Sequence, residues 1–80
     1  MANSEKKASF KHGNDSEFTA YTNGKEYGAR KIIYITISKV RGSQGSSQSK
    51  GSFSVKDQEF VDYRAGDLDL VKAAAAALGL

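Results

Sequence analysis

The segment KIIYITISKV, Lys31–Val40, constrains the fold more than any other part of this chain. Its β-branched residues alternate too regularly for a helix, where a 3.6-residue period would scatter them around the axis. As a strand it places Ile33, Ile35 and Ile37 on one face, and Ile32, Tyr34, Thr36 and Ser38 on the other. The three isoleucines form the natural core face. Tyr34 then stands among hydroxyl residues, with Arg30 nearby, on an outer face open to solvent.

Neighbouring segments supply partners for that strand. SEFTAY, Ser16–Tyr21, alternates Phe18 and Ala20 against Thr19 and Tyr21, and Asn23-Gly24 just after it signals a tight hairpin turn. SFSV, Ser52–Val55, reads as a short strand with Phe53 and Val55 facing the core. Between the two, residues 42–52 hold no proline to stiffen them and no apolar side chain to pin them, which predicts a flexible loop. Everything after Asp57, a fair N-cap, reads as helix. A break is expected at Ala65-Gly66-Asp67, where Asp67 can cap a fresh start into LDLVKAAAAALGL, and a kinked helix and two helices both fit. Phe60, Val61, Leu68, Val71, Ala75 and Leu78 fall near helical spacing and would cover the inner face of the sheet. The expected class is therefore α+β: an antiparallel sheet of three to four strands followed by a C-terminal helix, broken near Gly66.

Residues 1–15, MANSEKKASFKHGND, are polar and aperiodic and read as a flexible basic N-terminal arm, leaving residues 16–80 as a single domain. A chain of 80 residues buries only about 60% of the surface its unfolded form exposes, so help from a partner chain is expected. The run Ala73–Ala77 favours helix but offers little side-chain area, which suits close approach of another backbone. A homodimer contact through Val71, Ala74, Ala75 and Leu78 is one reading of it, and an exposed, merely helix-favouring tail is the other.

Charge placement says more than net charge. Residues 1–56 carry ten Lys and Arg against four acids, whereas residues 57–80 carry two against five, and the whole nets +3. Such segregation suits a polyanionic partner, and it equally describes an uneven solvated surface.

Several chemistries find no constellation. Cysteine is absent, which removes disulfides, thiolate metal ligands and a cysteine nucleophile together. His12 is the lone histidine and lies in the arm without a second ligand at metal-like spacing, so neither a metal nor a cofactor is expected. Asp67 and Asp69 suit the free N–H groups of a helix's first turn better than an acid-base pair. GSSQSKGS fails as a Walker A loop, because Lys50 follows Ser49 and precedes a strand. Asn14-Asp15-Ser16 fits the glycosylation pattern, but the polar MANSEKKASF offers no secretory leader. No apolar run approaches the roughly 18 residues a membrane span requires. The expectation is an intracellular protein, cytoplasmic or nucleoid-associated, without membrane contact and without enzymatic activity.

What remains is a basic sheet bearing tyrosines. Lys25, Arg30, Lys31, Lys39, Arg41 and Lys50 all lie in strands, turns or the loop, and Tyr34 leads Tyr27 and Tyr21 as a stacking candidate. Cations that track phosphates beside aromatic faces that stack unpaired bases are how single-stranded nucleic acid is held. The order of elements, and KGSFSVKDQEF above all, resembles the single-stranded DNA-binding domain of the positive cofactor four family of transcriptional coactivators. The matching elements are Lys50-Gly51, then Phe53-Ser54-Val55, then Gln58-Glu59 and an aromatic, Phe60, opening the C-terminal helix. Asn23-Gly24-Lys25 and Lys31–Ser38 would take the places of the basic hairpin and the next strand. Ser52 is an extra residue, Phe60 replaces a frequent tryptophan, and Gly66 interrupts a helix that should be continuous. The resemblance implies a homodimer joined through its helices that binds unpaired DNA, more than RNA, without sequence selection. The residues alone also fit a protein-interaction module, such as a small regulator or inhibitor of a larger, nucleic-acid-processing enzyme, or a minor component of a particle.

Overall fold

The computed structural model describes residues 5–43 and 47–80. Five antiparallel strands run in chain order, β1 (Lys6–Lys11), β2 (Glu17–Thr22), β3 (Ile32–Arg41), β4 (Gln48–Ser54) and β5 (Glu59–Tyr63). One helix, α1 (Leu68–Ala77), follows and lies across one face of the sheet. The α+β class is as expected, with more strands.

β3 behaves as its alternation demands, with Ile33, Ile35 and Ile37 buried and Tyr34 exposed. Phe18 and Ala20 of β2 join Ile35 and Ile37, and Leu70, Val71, Ala74, Ala75 and Leu78 at α1 close over them. Small residues let the helix lie close to the strands. At Gly51 a side chain has no room: a β-carbon there would stand 2.5 Å from Cγ1 of Val71. The helix begins at Asp67 as the sequence suggests, yet its carboxylate makes no capping bond and instead accepts from Ser49 Oγ at 2.7 Å, tying the helix start to β4. It ends in a Schellman turn, with Gly79 at φ +81° and the Gly79 and Leu80 amides donating to the carbonyls of Ala76 and Ala75.

Four expectations are corrected. Residues 6–11 are not an arm but an edge strand, paired in register from Lys6 opposite Thr22 to Lys11 opposite Glu17. Ala8 and Phe10 pack against the core, Phe10 stacks on Phe18 at 5.7 Å between centroids, and His12 sits edge-on to Phe18 in place of solvent. Residues 48–52 belong to β4, because their backbone pairs with β3 from Ser38 opposite Gln48 to Tyr34 opposite Ser52. Of the expected loop, residues 44–46 lie outside the described residues. The segment after Asp57 is strand and not helix. Phe60 pairs with Phe53, their rings 5.0 Å apart, a contact that a helix starting at Asp57 would forgo. Asn23-Gly24 does not close a two-residue hairpin either, since the chain runs on to Tyr27, which bridges to Ile32 at the start of β3.

Phe53 does face the helix side, opposite Ile33, but it lies outside the cluster beneath α1 and is half-buried, as is Val55 in the following turn. The residues expected at a dimer contact, Val71, Ala74, Ala75 and Leu78, are all buried against the chain's own sheet, so this face of α1 is already occupied.

Candidate nucleic-acid interface

With α1 on one face, no element among the described residues covers the other. Register defines what that bare face displays. Lys7 lies opposite Tyr21, Tyr21 opposite Thr36, and Thr36 opposite Lys50, so one row crosses four strands as lysine, tyrosine, threonine, lysine. With strands about 4.8 Å apart, its two lysines are rooted about 14 Å from each other. Ser9, Thr19, Ser38 and Gln48 form the row on one side. On the other side, Tyr34 lies opposite Ser52 and Ser52 opposite Asp62. Tyr34 is 53% exposed and Tyr21 37%, and they are diagonal neighbours across β2 and β3. Tyr27 leans on Tyr34 at 5.5 Å, which limits how its ring can turn. An open groove of about 590 Å³ runs along this end of the face, lined by Tyr34, Lys50, Ser52, Asp62, Tyr63 and Arg64 among others.

Of the cations expected at the site, the sheet brings only Lys50 beside Tyr34. Arg30 is held by two carboxylates, Nε at 2.6 Å from Asp57 and Nη2 at 3.0 Å from Glu59, which cancel its charge locally. The Asp57 contact raises the Arg30 pKa, and the guanidinium in turn holds the Asp57 carboxyl below the usual range. The stability from that pair is present above the ordinary carboxylate pKa and is lost as pH falls through the lowered value. Arg41 is paired with Glu17 at 2.9 Å. Lys39 lies opposite Phe18, on the helix side, because it continues the alternation of Ile33, Ile35 and Ile37, and the register shifts only beyond it, between Phe18 and Glu17. Lys25 and Lys31 belong to the connection between β2 and β3, Lys31 at φ +55° in its last turn.

Lys7 is not legible as a site residue while residues 1–15 are read as an arm, because an arm has no faces. The alternation of Ala8 and Phe10 with lysine and serine was the available signal. Asp62 and Arg64 are not legible either, since a helix would have carried them elsewhere.

The Tyr21 hydroxyl donates to Glu5 at 2.7 Å, which keeps the proton on and raises its pKa above the ordinary phenol range. The stability from this bond is complete below the ordinary phenol pKa and is lost as pH rises through the raised value. Spectrophotometric titration is expected to show a tyrosinate component displaced upward, which Glu5→Gln moves back down. An unchanged titration curve in Glu5→Gln would refute the pairing.

Comparison with protein-family models, with curated proteins and with solved structures returned no match. Among the described residues, no three His, Asp or Glu side chains are grouped to hold a metal ion, and no helix is long and apolar enough to cross a membrane.

Proposed function

We propose that the bare face of the sheet binds single-stranded DNA, chiefly through contacts that any sequence can supply. The observation that carries this reading is the cross-strand row Lys7, Tyr21, Thr36 and Lys50, with exposed Tyr34 on its diagonal. A row with cations at both ends, one phenol ring between them and a second on the diagonal matches a backbone whose phosphates flank unpaired bases. Lys7 and Lys50 are both exposed, and Thr19, Thr36, Ser38 and Gln48 add polar groups to the floor. The resemblance in KGSFSVKDQEF supports the same reading only through Lys50-Gly51, since Phe60 lies in β5 and opens no helix. Nothing in the proposal requires a second copy.

The test is titration of a fluorescent oligothymidine at several salt concentrations. Wild type should bind, and its affinity should weaken by about 0.7 log units per log unit of salt for each phosphate neutralised. Lys50→Ala should reduce that slope by about 0.7. Tyr34→Ala should cost about 1–3 kcal/mol of binding and leave the slope nearly unchanged, because stacking releases no counterions. Lys72→Ala, exposed on the helix side, should change neither quantity. Absence of binding at low salt would overturn the proposal and leave the tyrosines as a docking surface for a protein.

A further inference from the structure

Asp62 stands in the proposed DNA groove, where a carboxylate opposes phosphate. It is exposed, it has no hydrogen-bond or ion-pair partner among the described residues, and it lies directly opposite Ser52. Ser52 is itself unusual. It is 1% exposed, it lines the same groove, and its hydroxyl is the one buried side-chain polar atom among the described residues that finds no partner. Tyr34 completes the row on the far side of Ser52, two strand spacings or about 10 Å from Asp62. A ring for stacking, an orphan hydroxyl and an unpaired carboxylate thus follow one another across β3, β4 and β5.

An ionised carboxylate accepts hydrogen bonds and donates none. In a site built for a polyanion it is useful only against donors, and the donors of single-stranded DNA are on the edges of its bases. Guanine alone presents two adjacent donors, N1–H and N2–H₂, on the edge freed when the strand is unpaired, and they match the two oxygens of a carboxylate. Adenine offers one amino group beside an acceptor, cytosine likewise, and thymine a single N–H between two carbonyls. We infer that the row Tyr34–Ser52–Asp62 is a base-reading position that prefers guanine, with the base stacked on Tyr34, its Watson–Crick edge on Asp62, and the Ser52 hydroxyl free to contact an edge acceptor. This inference rests on the single-stranded DNA reading and adds a preference at one position to it.

The experiment compares three twelve-residue oligonucleotides: oligothymidine, and the same strand with one central guanine or one central adenine. Adenine controls for purine stacking. The guanine strand should bind at least about fivefold more tightly than the adenine strand, the lower end of what a bidentate base contact discriminates. Inosine, which keeps N1–H and lacks the amino group, should fall between them. Asp62→Asn should abolish the guanine advantage while oligothymidine binds as well as or better than to wild type, since a negative charge has left the groove. Equal affinity of wild type for the guanine and adenine strands overturns the base-reading inference and leaves the DNA proposal standing, provided oligothymidine binds. A guanine preference that survives in Asp62→Asn also overturns it. Failure of all three strands to bind overturns both.

Discussion

Ala75→Glu is expected to abolish folding of the isolated chain at every protein concentration. Ala75 is 3% exposed and belongs to the cluster in which α1 covers Phe18, Ala20, Ile35 and Ile37. A glutamate there must either bury a charge with no partner or push the helix off the sheet, and each costs several kcal/mol. A domain of this length has about 4–12 kcal/mol in total, at 0.05–0.15 kcal/mol per residue. Ala76→Glu is the control. One residue further on, it faces solvent, so its effect should stay within about 0.5 kcal/mol. Circular dichroism and urea titration of both variants decide the matter. A folded, monomeric Ala75→Glu would mean that the alanine face serves a second copy and not the chain's own sheet.

The same alanines show where sequence reading succeeds and where it stops. Helical spacing placed Val71, Ala75 and Leu78 together on a buried face, and that face is real. Spacing cannot say what the face is buried against, and the low side-chain area that suggested a neighbouring molecule is used to bring α1 down onto β1, β2 and β3, with Val71 close to Gly51 of β4. β3 was legible because alternation over ten residues has one interpretation. β5 was not, since in a run as short as Glu59–Tyr63 strand and helix periods place Phe60 and Val61 alike, and the deciding contact is the distant Phe53 ring. β1 failed for a related reason. Two apolar residues, Ala8 and Phe10, are too few to pattern a strand, and they are stabilised by neighbours that only the register reveals.

The candidate site divides along the same line. Tyr34 and Lys50 follow from local alternation and from the absence of anything apolar around Lys50. Arg30 and Arg41 looked equivalent to Lys50 in sequence, yet their charges are answered by Asp57, Glu59 and Glu17, residues brought close only by strand pairing. Charge counted along a chain therefore overstates the charge a face presents. The ten basic residues of the first 56 reduce, on the bare face, chiefly to Lys7, Lys11 and Lys50, with Arg64 contributed by the acidic end of the chain.

Gly51→Ala is expected to destabilise the fold by about 1–3 kcal/mol, the usual cost of forcing an extra carbon into a packed interior. The added β-carbon would lie 2.5 Å from Cγ1 and 2.8 Å from Cγ2 of Val71, and Val71, fully buried on the sheet-facing side of the helix, cannot swing its branched side chain aside. Val71→Ala alone should also cost about 1–3 kcal/mol, by leaving a void where two methyl groups were. Combined, the two substitutions relieve each other, because the new methyl at 51 enters the space vacated at 71. The double variant should therefore be more stable than the sum of the single losses predicts, with a coupling of about 1–2 kcal/mol, within the range seen for residues in contact. Urea midpoints for the four proteins measure this, and an unchanged m value would show that the same surface is buried in each. Strict additivity would mean that Val71 does not rest on Gly51. The helix would then cross the sheet elsewhere, and Ser49 would not be in reach of Asp67 to fix where β4 turns its other face, with Lys50 and Ser52, toward the groove.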